Sequence, residues 1–381
     1  MGKATTGVEQ AAAGDVLTIG VEEELLLVDR ESGLPAPDAA EVVAAIDAGT
    51  SGEVTLELTR PQLETNSAVC SSLTELREHL LVLRHAAVRA AQERGHDLVA
   101  TGVAVIGELE QPMTPDQRYR RIASAYGLLA REQSVCGAHV HVAVPDRASG
   151  VEVLNHLRPW LPTLLALTAN SPVANSRDTD YASWRWVTWA RWPSAGPPPY
   201  FPDAGAYDAM VDMLLESGAA ADRRMLYWDA RVSEKFPTIE VRVSDCAATV
   251  DEAVLLAGLV RGLTATALRA VEAGEPAPAI DAPVLRVAMW RAAKDGLTGD
   301  SFDVVRRVAL PAREQLQRLV SHAASGLRET GDADTVSDLL ARLLQRGNGA
   351  ARQRAAWARR EDPHDVLALL VAQTAGDGSF G

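Results

Sequence analysis

The chain has 381 residues, 37 basic against 51 acidic side chains, a net charge of −14 and 47% hydrophobic residues. Those values describe an ordinary globular protein; they argue against a non-specific nucleic-acid binder or a protein docked on an anionic membrane, and leave room for a local basic pocket. The three cysteines, Cys70, Cys136 and Cys246, are widely spaced, give no disulfide framework and point to a reducing, cytoplasmic setting.

Residues 1–15 lack the basic-then-apolar order of a signal peptide and read as a flexible leader. No uninterrupted apolar run reaches the ~18 residues of a membrane span. The first strong element is the run Leu17 to Val28, in which Glu22, Glu23 and Glu24 interrupt β-branched and aliphatic residues. Strand alternation sends Ile19, Val21, Glu23 and Leu25 to one face and Gly20, Glu22 and Glu24 to the other. Carboxylates crowded on one face repel each other and need solvent or a cation.

A turn and a helix over 38–48 lead to a strand over 53–59 that carries Glu57. Pro61 has no amide hydrogen, so Pro61 to Asn66, which includes Glu64, reads as a bend or an edge. Ser71 or Ser72 caps a helix over about 73–94, with Glu75 placed for a capping box and Leu76, Leu80, Leu83, Ala87 and Ala90 as its apolar stripe. Gly95 stops it, 96–105 reads as a strand, and 115–132 as one helix. Ala138 to Val144 is a strand with His139 and His141 on one face and Val140, Val142 and Val144 on the other.

A helix over 150–169 precedes an irregular stretch, 170–205, whose length suits a lid or a binding wall. A helix over 203–217 follows. The strand Thr238 to Val243 puts Glu240 and Arg242 opposite Ile239, Val241 and Val243. A helix runs from Asp251 to about 272, and the chain from 282 onward reads as almost all helical. The order is α+β with a mainly antiparallel sheet.

Familiar nucleotide motifs are absent. There is no G-x-x-x-x-G-K-[S/T], and Gly376 to Gly381 fits G-x-G-x-x-G without room for the helix that motif requires. What remains is a set of two-faced strands. Glu22, Glu24, Glu57, Glu64, His139 and Glu240 supply carboxylates and an imidazole, a donor set suited to Mg²⁺ or Mn²⁺ shared with phosphate oxygens. Arg242 beside Glu240 is a natural phosphate clamp.

The segments Thr18 to Glu24, Pro61 to Glu64, Cys136 to Val142, Arg177 to Thr179, Arg191 to Pro199 and Pro237 to Asp245 together resemble the bacterial carboxylate–amine ligases, the type-2 glutamate–cysteine-ligase-like family. The resemblance covers residues 16–375 as one catalytic domain, leaving 376–381 as a tail. It implies a glutamine synthetase-like fold: a curved, mainly antiparallel sheet, helices packed on its outer face, a helical C-terminal region and a concave face that holds metal, ATP and a carboxylate. It implies Glu22, Glu24, Glu57, Glu64, His139 and Glu240 as metal ligands, with Glu23 off the site. It places Arg242 on the transferring phosphate and Arg177 on phosphate or substrate carboxylate. His141, Gln133 and Tyr181 fall in the substrate pocket, and Arg231 and Lys235 near ATP. Asp180 stands where a small residue, usually glycine, is expected. Trp184 to Trp192 reads as wall packing more than as an adenine platform.

The implied reaction is ATP-dependent amide formation between small-molecule carboxylate and amine substrates through an acyl phosphate, by a homodimer, with glutamate plus cysteine as the reference pair. Two alternatives stand beside it. One is a metal-dependent amide hydrolase, because His-x-His also serves two-metal hydrolases. The other is a non-catalytic nucleotide- or amino-acid-binding relative.

Overall fold

The computed structural model describes residues 17–46 and 52–376. The expected leader, the end of the helix over 38–48 and all but the first residue of the tail lie outside the described residues. The centre is a seven-stranded sheet. Its strands are β1 (Ile19–Asp29), β2 (Gly52–Leu56), β3 (Gln62–Ser67), β4 (His96–Val99), β5 (Gly137–Ala143), β8 (Ala230–Val232) and β9 (Thr238–Asp245), with the two-residue strands β6 (Val173–Ala174) and β7 (Arg177–Asp178) forming a separate hairpin. The order is β2-β3-β1-β5-β9-β8, with β4 on the far end of β1, and every pairing is antiparallel.

Alternation divides the sheet into two faces. Ile19, Val21, Ala138, Val140, Val142, Ile239, Val241 and Val243 enter one apolar core. The long helices Leu73–Gln92, Arg147–Leu157 and Val250–Glu272 pack on that side. Val250–Glu272 is long and apolar enough to cross a membrane by length and composition, although Asp251, Glu252, Arg261 and Arg269 interrupt its apolar run, and most of it is buried in the protein. Its surface is covered instead by the helices Ala312–Glu329 and Ala333–Arg346, and its buried Arg261 pairs with Asp332.

Glu23 lies on the core face. It is fully buried, and its carboxylate takes hydrogen bonds from Arg84 Nε at 2.9 Å and Nη2 at 2.6 Å, while Arg84 also donates to the Ala247 carbonyl. The sequence placed Glu23 off the site, and here its charge is neutralised in two-pronged fashion beneath the sheet.

Several elements differ from expectation. The segment after Pro61 is no edge: β3 lies between β2 and β1, because Pro61 sits just before the ladder and contributes only its carbonyl, to Leu27 N. Ser72 caps its helix as expected, but Glu75 reaches back to Ser71, one residue further, rather than to Ser72. The strand over 96–105 ends at Val99. The helix over 115–132 breaks at Gly127, whose φ of 59° ends Gln117–Tyr126 and starts a short turn at Leu128–Arg131. Prolines 159 and 162 divide the helix over 150–169 around a single 3₁₀ turn. The helical C-terminal region contains a hairpin, β10 (Asp300–Asp303) and β11 (Val308–Pro311), too short for its alternation to be read.

Candidate active site

The opposite face of the sheet carries the charges, and strand register decides who meets whom. Glu22 on β1 is directly opposite His139 on β5, and Glu24 is opposite Glu64 on β3. His141 is opposite Glu240 on β9, and Glu240 is opposite Arg231 on β8. Glu57 follows β2 and accepts a hydrogen bond from Leu58 N at 2.9 Å. Three overlapping sets of ligand atoms, each within 4.8 Å of one another, result: Glu22, Glu64 and His139; Glu22, His141 and Glu240; and Glu24, Glu57 and Glu64.

The ladder between β5 and β9 contains a bulge. Ala138 pairs with Ser244 and Val140 with Val241, so Arg242 and Val243 together oppose His139. Arg242 is thereby aimed between strands. Its Nη1 donates to Glu240 Oε1 and lies 3.3 Å from His139 Nδ1. Glu240 is nearly fully buried and is held from its other side by Arg231, Nε at 2.7 Å and Nη2 at 3.1 Å. Burial opposes ionisation of Glu240, but Arg231 and Arg242 outweigh it and hold the carboxyl far below its ordinary range.

The other end of the cluster is electron-rich and uncompensated. Burial, then the carboxylates of Glu57, Glu22 and Glu24, push Glu64 well above the usual value. Burial and Glu57 push Glu24 up to about 7. Burial also raises Glu57. His139 is driven down to about 4 by burial and by Arg242, so its imidazole is neutral. With Nδ1–H given to Glu22 Oε2 at 3.0 Å, its Nε2 presents a lone pair to the hollow. His141 is held above the ordinary histidine value: burial works against its charge, and Glu240 and Glu22 prevail. His139 Nε2 is buried without a hydrogen-bond partner among the described residues, whereas His141 Nε2 lies 3.2 Å from Glu22 Oε1. Carboxylates forced together and a buried imidazole nitrogen without a partner are what a divalent cation satisfies, so the residues present fit the metal implied by the sequence.

The chain has relatives of known family. The model of glutamate–cysteine ligase family 2 matches residues 18–371. The chain belongs to that family. It is 51% identical over 361 residues to "Putative glutamate–cysteine ligase 2-1" of Nocardia farcinica, covering 94% of each chain. It is 50% identical over 359 residues to "Putative glutamate–cysteine ligase 2-2" of Mycobacterium sp. (strain KMS), covering 94% of this chain and 98% of that one. In fold it is similar to the glutamate–cysteine ligase of Francisella tularensis solved in complex with AMP, with a TM-score of 0.71, 12% identity, and coverage of 96% of this chain and 90% of that one. It is also similar to a bifunctional glutathione synthetase from Pasteurella multocida, with a TM-score of 0.69, 13% identity, and coverage of 95% and 52%. The protein is therefore a member of a ligase family with a glutamate–cysteine ligase fold.

The remaining expected residues of this family member fall in different places. Lys235 and Phe236 form the tip between β8 and β9, with Lys235 Nζ 4.7 Å from the Phe236 ring and that ring edge-on to His141 at 6.3 Å. Gln133 is buried, with both amide atoms lacking partners among the described residues. Tyr181 is half-buried; its hydroxyl accepts from Trp290 Nε1, and the Lys294 ammonium lies over its ring. Arg177 is exposed on the β6–β7 hairpin and makes no ion pair or side-chain hydrogen bond with the acidic cluster among the described residues. The neighbouring Asp178 pairs with Arg354 instead. Asp180 has a φ of 62°, a left-handed backbone in which glycine is comfortable, which accounts for the expectation of a small residue there. The tryptophans pack: Trp189, Trp192 and Tyr227 form one nest with Tyr126.

Two residues escaped the sequence reading. Arg185, on the helix Trp184–Trp189, is buried beside Gly137, where an added Cβ would lie 2.2 Å from its Nη2. Gly137 thus makes room for the guanidinium while its own N–H donates to Glu24 Oε2 at 2.5 Å. The signal was an arginine inside a tryptophan-rich run. Asp229 is buried next to β8, with Oδ1 accepting from Trp186 Nε1 at 3.0 Å. Its spacing of two from Arg231 was the available clue.

Proposed function

We propose that the protein is an ATP-dependent carboxylate–amine ligase that activates its carboxylate as an acyl phosphate, with glutamate as the reference carboxylate and cysteine as the reference amine. The observation that supports this reading most is the convergence of Glu22, Glu24, Glu57, Glu64, His139, His141 and Glu240 with Arg242 on one face of one sheet. A carboxylate resists attack by an amine because its charge repels the nucleophile and oxide is a poor leaving group. Transfer of the γ-phosphoryl group of ATP to a carboxylate oxygen replaces that oxide with phosphate. Arg242, fixed by Glu240, offers its remaining guanidinium donors to the charge that develops on the transferring group. Arg231 holds Glu240 from behind, so Arg242 is oriented before substrate arrives. The amine then attacks the acyl carbon, the carbon–oxygen bond to phosphate breaks, and amide, ADP and phosphate result. A divalent cation held by the carboxylates and imidazoles would neutralise triphosphate charge. Lys235, at the tip beside His141, belongs to the ATP end in this reading, Gln133 and Tyr181 to the acceptor side. Residues 16–375 act as one catalytic domain within a cytoplasmic homodimer.

The test is phosphate release from ATP with Mg²⁺, across amino-acid carboxylates and amines, with the coupled product identified by mass. Formation of an amide only when ATP is present supports the ligase; the same product without ATP overturns it in favour of a hydrolase, and nucleotide binding without turnover in favour of a binding protein.

Cation binding carries its own expectation. A ligand carboxylate must lose its proton, and Glu24 does so near pH 7. One group with that value weakens Mn²⁺ binding about 10-fold between pH 8 and pH 6. Calorimetric titration of the nucleotide-free protein at the two pH values measures it, and Glu24→Gln should remove most of the affinity and reduce the dependence to what the raised Glu64 and Glu57 carboxyls contribute.

A further inference from the structure

Two buried ionisable side chains beside the cluster do not pair with each other, and each keeps one polar atom without a partner among the described residues. Asp229 is 3% exposed and Arg185 is 2% exposed. Neither has an ion-pair partner within 4.0 Å among the described residues, and Asp229 Oδ2 and Arg185 Nε lack hydrogen-bond partners there. Burying an unpaired carboxylate is costly, and burial pushes the Asp229 carboxyl up to about 7; a cationic group at the free Oδ2 would restore its charge.

Register shows which way Asp229 faces. Ala230 pairs with Val241, and both are core residues. Asp229 therefore lies beside Arg242 on the site face, and its carbonyl accepts from Arg242 N at 2.8 Å. The Trp186 indole fixes Oδ1 and leaves Oδ2 as the open acceptor. Arg242 is turned away, toward Glu240 and His139. The Arg185 guanidinium stands by the next strand, with Nη2 3.5 Å from the Arg242 carbonyl. An anion and a cation kept apart in this way match a ligand that brings both charges itself.

We infer that Asp229 receives the ammonium group of an α-amino-acid carboxylate substrate, making it the residue that distinguishes an amino acid from the corresponding simple diacid. This rests on the ligase reading and adds to it the residue that would recognise the ammonium group of the reference carboxylate. Arg185 supplies the opposite charge, so the pocket suits a zwitterion and accepts a plain dicarboxylate poorly.

The experiment is calorimetric binding of L-glutamate and of glutarate, which lacks the ammonium, to the full-length protein with Mg²⁺ and a non-hydrolysable ATP analogue. The wild-type protein should bind L-glutamate at least about 10-fold more tightly than glutarate, the scale expected when a buried charge keeps or loses its partner. Asp229→Asn should bring the two within about 2-fold by weakening glutamate, while unchanged affinity for the ATP analogue reports an intact fold. Asp229→Ser provides the same comparison with a smaller side chain if the amide misfolds. Retention of the wild-type preference in both variants overturns the inference, as does a wild-type protein that fails to prefer glutamate. The ligase reading fails differently, when no carboxylate–amine pair supports phosphate release from ATP.

Discussion

Arg242→Ala lowers ATP-dependent amide formation by about 1,000-fold or more, the scale seen when a guanidinium is removed from a phosphoryl-transfer site. The side chain is nearly buried, its Nη1 is given to Glu240, and its Nε has no partner among the described residues. Its removal leaves Glu240 with Arg231 as its cation, so the carboxylate stays compensated and the fold survives. Single-turnover phosphate release in the variant and the wild type measures the effect. A variant with near-normal turnover would remove Arg242 from the chemistry.

The second large effect is on stability. Glu23→Gln should destabilise the protein by about 3–5 kcal/mol, because it strands the Arg84 guanidinium in a buried position. Arg84 would keep its bonds to the Ala247 and Ala248 carbonyls and lose both carboxylate contacts. Chemical unfolding followed by tryptophan fluorescence reads the difference. Glu24, on the opposite face, behaves in the opposite sense, since burial and Glu57 already push its carboxyl up to about 7 and neutralising it relieves repulsion. Glu22 does not follow it: burial opposes its charge, but His139 and His141 outweigh that and hold its carboxyl well below the usual range. Three consecutive glutamates thus meet three different surroundings. A loss below about 1 kcal/mol for Glu23→Gln would mean that the pair contributes little.

The strands that carry the site were legible because each is long enough to show its alternation against aliphatic neighbours. Glu22 and Glu24, His139 and His141, and Glu240 and Arg242 all announced their face in this way. β3 hides from a sequence reading because Pro61 looks like part of the strand, whereas it stands just before the ladder. β8 and the β10–β11 hairpin run three or four residues, too few for a period to appear. Arg185 and Asp229 come from connecting segments, where position depends on what the chain packs against. Arg185 is placed by Ser171, whose Oγ accepts from its backbone N–H, and by the absence of a side chain at Gly137. The motif around Arg177 carries no information on direction, and the hairpin that bears it leaves it exposed.

The bulge in β9 has an effect on the far half of that strand. Cross-strand neighbours share a side, so Ser244, beside Ala138, goes with the interior, and Asp245, beside Gly137, goes with the hollow. Even-numbered positions do the work before the extra residue and odd-numbered ones after it. Asp245 can then gather Asn170, Ser171 and Ser183, which tether the long connection bearing Arg185. A single surplus peptide unit therefore lets one strand serve two clients: the acidic cluster through Glu240 and Arg242, and the scaffold of the opposite wall through Asp245.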